Sequence, residues 1–217
     1  MTSILRLRAR PRAKTRGGEA NVARILDAAL TLFARYGLRG VTVDEVAEIA
    51  GMSKPNLLYY FRTKDALYTA VLERMLTLWL EPLIALDKDA NPSDALRTYI
   101  ESKLQFSRSN PEGSRLFAME MLQGAPHLKK VLRTTLASTV AATSATIEAW
   151  IARGKLRPIA PLHLIFAMWA ATQHYADFAP QIEAICGRGI QDDDFFEEAR
   201  REISDLFLSG VMIRPER

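Results

Sequence analysis

The 217-residue chain holds one cysteine, Cys186, and three histidines. A single thiol excludes a disulfide framework or a thiolate metal cluster within one chain, and fits a free thiol in a reducing compartment. His127, His163 and His174 lack metal-ligand spacing. No nucleophile elbow or glycine-rich phosphate loop accompanies them, so no catalytic site, metal or cofactor is expected. Long apolar runs are missing as well. The longest, residues 164–171, falls far short of the roughly 20 residues that span a bilayer. No N-terminal apolar stretch has the length of a signal peptide. A cytoplasmic protein with no membrane partner is the expectation.

What is present is ordinary in bulk, 48% hydrophobic and 25% charged, but uneven along the chain. Residues 1–64 carry twelve Lys/Arg against five Asp/Glu, whereas residues 65–217 carry seventeen against twenty. Six basic residues from Arg6 to Arg16 precede the first acid, Glu19. A basic end on a mildly acidic body points to an anionic polymer bound at that end. A solvated tail explains the arm equally well until the next segment is read.

Strand-type alternation is scarce, and apolar residues recur at three- and four-residue spacing nearly throughout. The punctuation predicts a first helix over 19–36, ended by Gly37, and a second from Val43, opened by Thr42-Val43-Asp44-Glu45 as a capping box. Gly51 ends the second. Ser53 caps a third with Pro55 in its first turn, and Thr63 caps a fourth from Lys64 to about Leu86, interrupted near Pro82. Asn91-Pro92, Asn110-Pro111 and Ala125-Pro126 mark later starts. Further helices are predicted over 127–153, 160–176 and 192–209, with a short one near 180–186; Asp177 is expected to cap that one. The fold class is all-α. The expected division is a basic disordered arm (1–18), a small three-helix unit (19–65) and a larger helical body (66–217).

Residues 43–62, VDEVAEIAGMSKPNLLYYFR, have helix-turn-helix spacing. Ala47 permits close helix contact, and Gly51 sits where the turn needs positive φ. Val46, Ala50, Met52 and Leu57 fall at the packing positions. The segment resembles the TetR family in Thr42, Ala50-Gly51-Met52-Ser53, Leu57-Leu58-Tyr59-Tyr60-Phe61 and Lys64-Asp65-Ala66-Leu67. Leu58 and Tyr60 depart from the family's usual tyrosine and histidine. The resemblance implies that Lys54, Pro55 and Asn56 enter the major groove of double-stranded operator DNA, Asn56 facing adenine and Lys54 guanine. Thr42, Ser53, Tyr59, Tyr60 and Lys64 then face phosphates, and Arg10, Arg12 and Arg16 follow the backbone or a flanking minor groove.

Some 150 residues follow the three-helix unit, a surplus that reads as a dimerisation and sensing body. The resemblance implies a homodimer whose last two long helices form a four-helix bundle, with the middle helices around a small-molecule effector. Residues 76–86, 114–126, 154–159 and 163–181 further resemble a pyrimidine-utilisation branch of the family, which senses uracil and thymine. In 162–179, LHLIFAMWAATQHYADFA, one stripe (Phe166, Trp169, Ala170, Gln173) is expected to face a pocket. A second stripe (Ile165, Met168, Thr172, Tyr175) is expected at the dimer seam. Trp79 and Trp169 can sandwich a flat heterocycle, and the Gln173 amide complements the adjacent N–H and C=O of a uracil edge. His174 and Arg115 complete the candidate effector set. Lys103 and Arg108 are further candidates, although each of these cations is more often a surface residue. A different effector, such as an apolar drug or acyl chain, is the main alternative. An enzyme using His174 and Asp177 as an acid–base pair is a remote one.

Overall fold

The computed structural model describes residues 16–213. In chain order the helices are α1 (Arg16–Tyr36), α2 (Val43–Ile49), α3 (Lys54–Tyr60), α4 (Lys64–Ile84), α5 (Pro92–Ser109) and α6 (Pro111–Leu122). They continue with α7 (Lys129–Val131), a π-helical turn (Leu132–Leu136), α8 (Ala137–Ala152), α9 (Pro161–Asp177), α10 (Ala179–Cys186) and α11 (Asp193–Val211). Among the described residues there is no strand, only an isolated bridge between Leu156 and Met212. The fold is all-α, as the apolar spacing predicts.

The boundaries follow from local chemistry. Gly51 has φ +64°, and behind it the N–H of Met52 donates to the Ala47 carbonyl while that of Gly51 donates to Glu48, each at 3.0 Å. These two reversed bonds are a Schellman ending, which needs a residue without Cβ strain at this position. Asn91 caps α5 through Ser93 N–H, with Pro92 in the first turn. Pro82 lies inside α4, which ends two residues later at Ile84. Asp177 does not cap α10: the cap position is Phe178, with no side-chain cap bond, because α10 follows α9 almost without a linker.

Packing divides the chain into two compact units at other places than the expected 65/66 boundary. Of the described residues, the first takes those up to Thr77 together with Glu112–Val131; the second takes Leu78–Pro111 and those from Leu132 onward. In the first, Ile25, Phe33, Val46, Leu57 and Leu67 are almost fully buried, each contributing about 1.5–3 kcal/mol of hydrophobic stabilisation. In the second, α5 packs on α9 and α11, with Ile100, Leu104, Ile165 and Met168 excluded from water. Ser107 and Thr172 pass through that contact, and the Ser107 hydroxyl donates to the Thr172 carbonyl at 2.9 Å. α1 begins at Arg16, so that residue opens a helix. The remainder of the arm, Arg10 and Arg12 included, lies outside the described residues.

Candidate nucleic-acid interface and effector site

The reading unit is built by its caps. Glu45 N–H donates to Thr42 Oγ1 at 3.3 Å, while the Glu45 carboxylate accepts from the Thr42 N–H and hydroxyl, each at 2.7 Å. The Thr42 hydroxyl, and after it the backbone N–H, hold the Glu45 carboxyl below the usual carboxylate range. The same box leaves Thr42 exposed at the start of α2. Ser53 caps α3 by accepting from Asn56 N–H at 3.4 Å, and Lys54, Pro55 and Asn56 are all exposed on its first turn.

Lys54 Nζ donates to Asp44 Oδ2 at 2.8 Å, and both side chains are largely in water. Such a pair contributes at most about 1 kcal/mol. A bidentate base contact is worth about 1–3 kcal/mol, so the pair yields readily to a base edge. Tyr59 is exposed, while Tyr60 is half-buried and accepts from Asn21 Nδ2 of α1 at 3.0 Å. Their rings meet edge to face at 5.2 Å. Lys64 Nζ donates to the Val41 carbonyl at 2.7 Å, which makes it a brace for the loop before α2. An ammonium has three protons, so two remain for a phosphate. The Asn21 partner of Tyr60 and the Val41 partner of Lys64 carry no sequence signal, since both are long-range pairings.

Apart from Arg115, the effector candidates sit in the second unit. Lys103 is 2% exposed and its Nζ lies 3.9 Å from the centroid of the Trp79 ring. Burial pushes the Lys103 ammonium well below its ordinary value, with Asp177 opposing that shift. Lys103 is thus no surface cation. Helical spacing alone does not say which stripe of α5 turns inward, so the sequence leaves Lys103 among the surface cations. One helical turn earlier, Tyr99 accepts from Trp169 Nε1 at 2.7 Å. Burial is the chief cause that raises the Tyr99 hydroxyl far above the usual phenol, so it remains a donor. The two indoles therefore have different neighbours: Trp79 has Lys103 and Phe106, Trp169 has Tyr99 and Phe166. Gln173 is half-buried one turn after Trp169 on α9.

The seam expectation fails here. The stripe Ile165, Met168 and Thr172 is fully buried in the chain's own core, and Tyr175 meets Phe195 at 6.1 Å, so this is no dimer seam. The outer side of α9 instead carries Phe166, Ala167, Ala170 and His174. His174 is exposed and stacks on Phe178 at 4.9 Å, while the Asp177 charge acts on the buried Lys103. Arg108 is half-buried, joined to Asp193 and lying over the Phe196 ring. Arg115 is half-buried on α6 in the first unit. A groove of about 700 Å³ between α8 and α9 runs to Phe166 and Trp169 with largely apolar walls.

Residues 25–71 match the family "bacterial regulatory proteins, tetR family", and residues 72–214 match the "YcdC-like protein, C-terminal region". The chain is 47% identical over 201 residues to the HTH-type transcriptional regulator RutR of Escherichia coli O157:H7, covering 93% of this chain and 95% of that one. It is 26% identical over 191 residues to the HTH-type transcriptional repressor NicS of Pseudomonas putida, covering 86% and 90%. Among solved structures it is similar to the Streptomyces coelicolor protein SCO4942, with a TM-score of 0.69 at 25% identity over 89% of this chain and 98% of that one. A TetR-like transcriptional regulator of Rhodococcus sp. RHA1 has the same fold, with a TM-score of 0.62 at 21% identity over 88% and 94%. These relatives are regulators rather than enzymes. No helix among the described residues is long and apolar enough to cross a membrane.

Proposed function

The chain belongs to the TetR family of bacterial regulatory proteins, and on that premise we propose that it is a homodimeric repressor that senses a pyrimidine such as uracil or thymine and releases its operator on binding it. The observation that carries the ligand class is the set of donors that α5 and α9 hold beside the two indoles. Lys103 lies over the Trp79 ring and Tyr99, one turn earlier on α5, accepts from Trp169, while Gln173 follows Trp169 by one turn on α9. A flat ring with two carbonyl oxygens and an intervening N–H suits that set. The ammonium and the phenol donate to carbonyls, the amide pairs with a C=O/N–H edge, and an indole face covers the ring.

Operator release follows by linkage. Helix α4 supplies Lys64 to the reading unit and Trp79 to the effector cluster. A dimer places its recognition helices in successive major grooves about 34–36 Å apart, so a small displacement of α4 spoils the match. A preference of about 1–3 kcal/mol of the effector for the DNA-incompetent form suffices for a 5–150-fold switch. Equal binding to both forms moves nothing.

The groove against α8 favours one second reading, an apolar effector on the same scaffold. A thermal-shift panel of uracil, thymine and acyl compounds separates the two. Stabilisation by uracil or thymine is expected, and stabilisation by acyl compounds alone would overturn the pyrimidine assignment.

A further inference from the structure

Helix α6 carries a buried carboxylate that the regulator reading does not use. Glu120 is 1% exposed, in the same compact unit as α1–α3. A charge so placed is sustained only by donors aimed at it. Its Oε1 accepts from the backbone N–H of His127 at 2.7 Å, and its Oε2 lies 3.2 Å from His127 Nδ1. Since a carboxylate only accepts, Nδ1 must carry the proton of that contact. The Tyr68 hydroxyl of α4 is a third donor. Burial first, then the charge and hydrogen bond of Glu120, push it up to about 12, so it stays protonated.

The contacts converge on the start of α4. His127 Nε2 faces Asp65 Oδ1 at 3.6 Å, and its ring meets Tyr68 edge to face at 4.9 Å. Tyr68 also meets Phe33 of α1, edge to face at 5.1 Å. The turn that returns His127 to Glu120 is strained to do so. Gly124 has φ +84° and Ala125, a non-glycine residue that is itself buried, has φ +55°. Such a conformation persists where surrounding contacts over-determine it. Next to Asp65, Lys64 holds the carbonyl of Val41, the residue before the Thr42 cap.

We propose that Glu120, Tyr68 and His127 form a positioning lock for DNA binding, in which the α6 carboxylate fixes the first turns of α4 and, through Lys64, the backbone leading into the α2 cap. This rests on operator binding by the first unit. The groups facing His127 are Asp65 and Tyr68 from α4 and Glu120 from α6.

The test uses the full chain and a mixed-sequence DNA duplex, with two readouts. One is amide hydrogen exchange at Leu67 and Val46, whose N–H groups bond to Thr63 and Thr42. The other is the salt dependence of duplex affinity. Glu120→Leu is expected to speed exchange at both amides about tenfold or more and to flatten the salt slope by about 0.9 per lost phosphate contact. Glu120→Gln should restore both, because an amide oxygen still accepts from His127 N–H and its NH₂ serves the other imidazole tautomer. A folded Glu120→Leu chain with wild-type exchange overturns the lock. So does a Gln variant as impaired as the Leu variant, which would leave only a packing role. Should Glu120→Leu not fold, His127→Leu reads the same quantities, and wild-type values for both refute the proposal. Loss of duplex binding by the wild type would count against the regulator reading alone, since exchange involves no DNA.

Discussion

Lys103 places its ammonium 3.9 Å from the centre of the Trp79 ring while remaining 2% exposed. A cation over an indole face is favourable, but the desolvation of a fully buried ammonium opposes it. Desolvation outweighs the opposing Asp177 carboxylate, so Lys103 loses its proton more easily than a free lysine.

That direction sets a pH dependence. The unfolded chain binds more protons than the folded one at any pH between the depressed folded value and the ordinary lysine value of about 10.4, so stability contributed by this site rises with pH across that window. Lys103→Met removes the desolvation penalty. At pH 7 the variant is expected to be more stable than wild type by about 1–4 kcal/mol, as when buried charges give way to apolar side chains of similar volume. The gap should close as the pH approaches 10. Thermal melts of both chains across pH 7–10 check this, and parallel profiles would show that Lys103 bears no such penalty.

Gln173→Leu tests the effector reading most directly. Loss of an amide that pairs with a ring edge is expected to weaken uracil binding by about 1–3 kcal/mol, or five- to 150-fold, with dimerisation and duplex binding intact. Isothermal titration with uracil measures it. Unchanged affinity would exclude Gln173 from the site.

Asn56→Ala should weaken operator binding by about 1–3 kcal/mol and relax selectivity at one base pair. Tyr59→Phe should weaken all duplexes alike, because a phosphate contact carries no base information. Binding to a randomised duplex library, sequenced before and after selection, distinguishes the two. A selectivity change from Tyr59→Phe instead of Asn56→Ala would reverse the assignment.

Thr42→Ala removes the hydroxyl that caps α2, and a loss of about 1 kcal/mol in stability is expected. The cap also lowers the Glu45 carboxyl, chiefly through the Thr42 hydroxyl. A lowered carboxyl contributes stability that is present above the ordinary glutamate value and is lost as pH falls through the lowered folded value. The wild-type chain should therefore lose its advantage over Thr42→Ala on acidification below about pH 4. Denaturant melts at pH 7 and pH 3 check it, and an equal gap at both would dissociate the cap from Glu45.

Much of the architecture was legible in the residues themselves. Thr42-Val43-Asp44-Glu45, Gly51, Ser53 and Asn91-Pro92 act within a few residues of chain, so their effect on helix ends survives into the fold. Asp177 is an exception: its spacing fits a cap, but Phe178 takes the cap position and the Asp177 charge acts on Lys103, a residue far away in sequence.

By itself the sequence determined the helix order, the turn of the reading unit and the stripes along each helix, since these depend on 3.6-residue periodicity and on local backbone preferences. Only the tertiary structure decided which stripe turned inward. It buried Ile165, Met168 and Thr172 where a dimer seam was expected, sank Lys103 beside Trp79, and tied Lys64 to Val41 and Glu120 to His127. Each of these outcomes depends on which distant helix lies opposite. That choice is settled by the burial of whole faces at once, which no single segment contains.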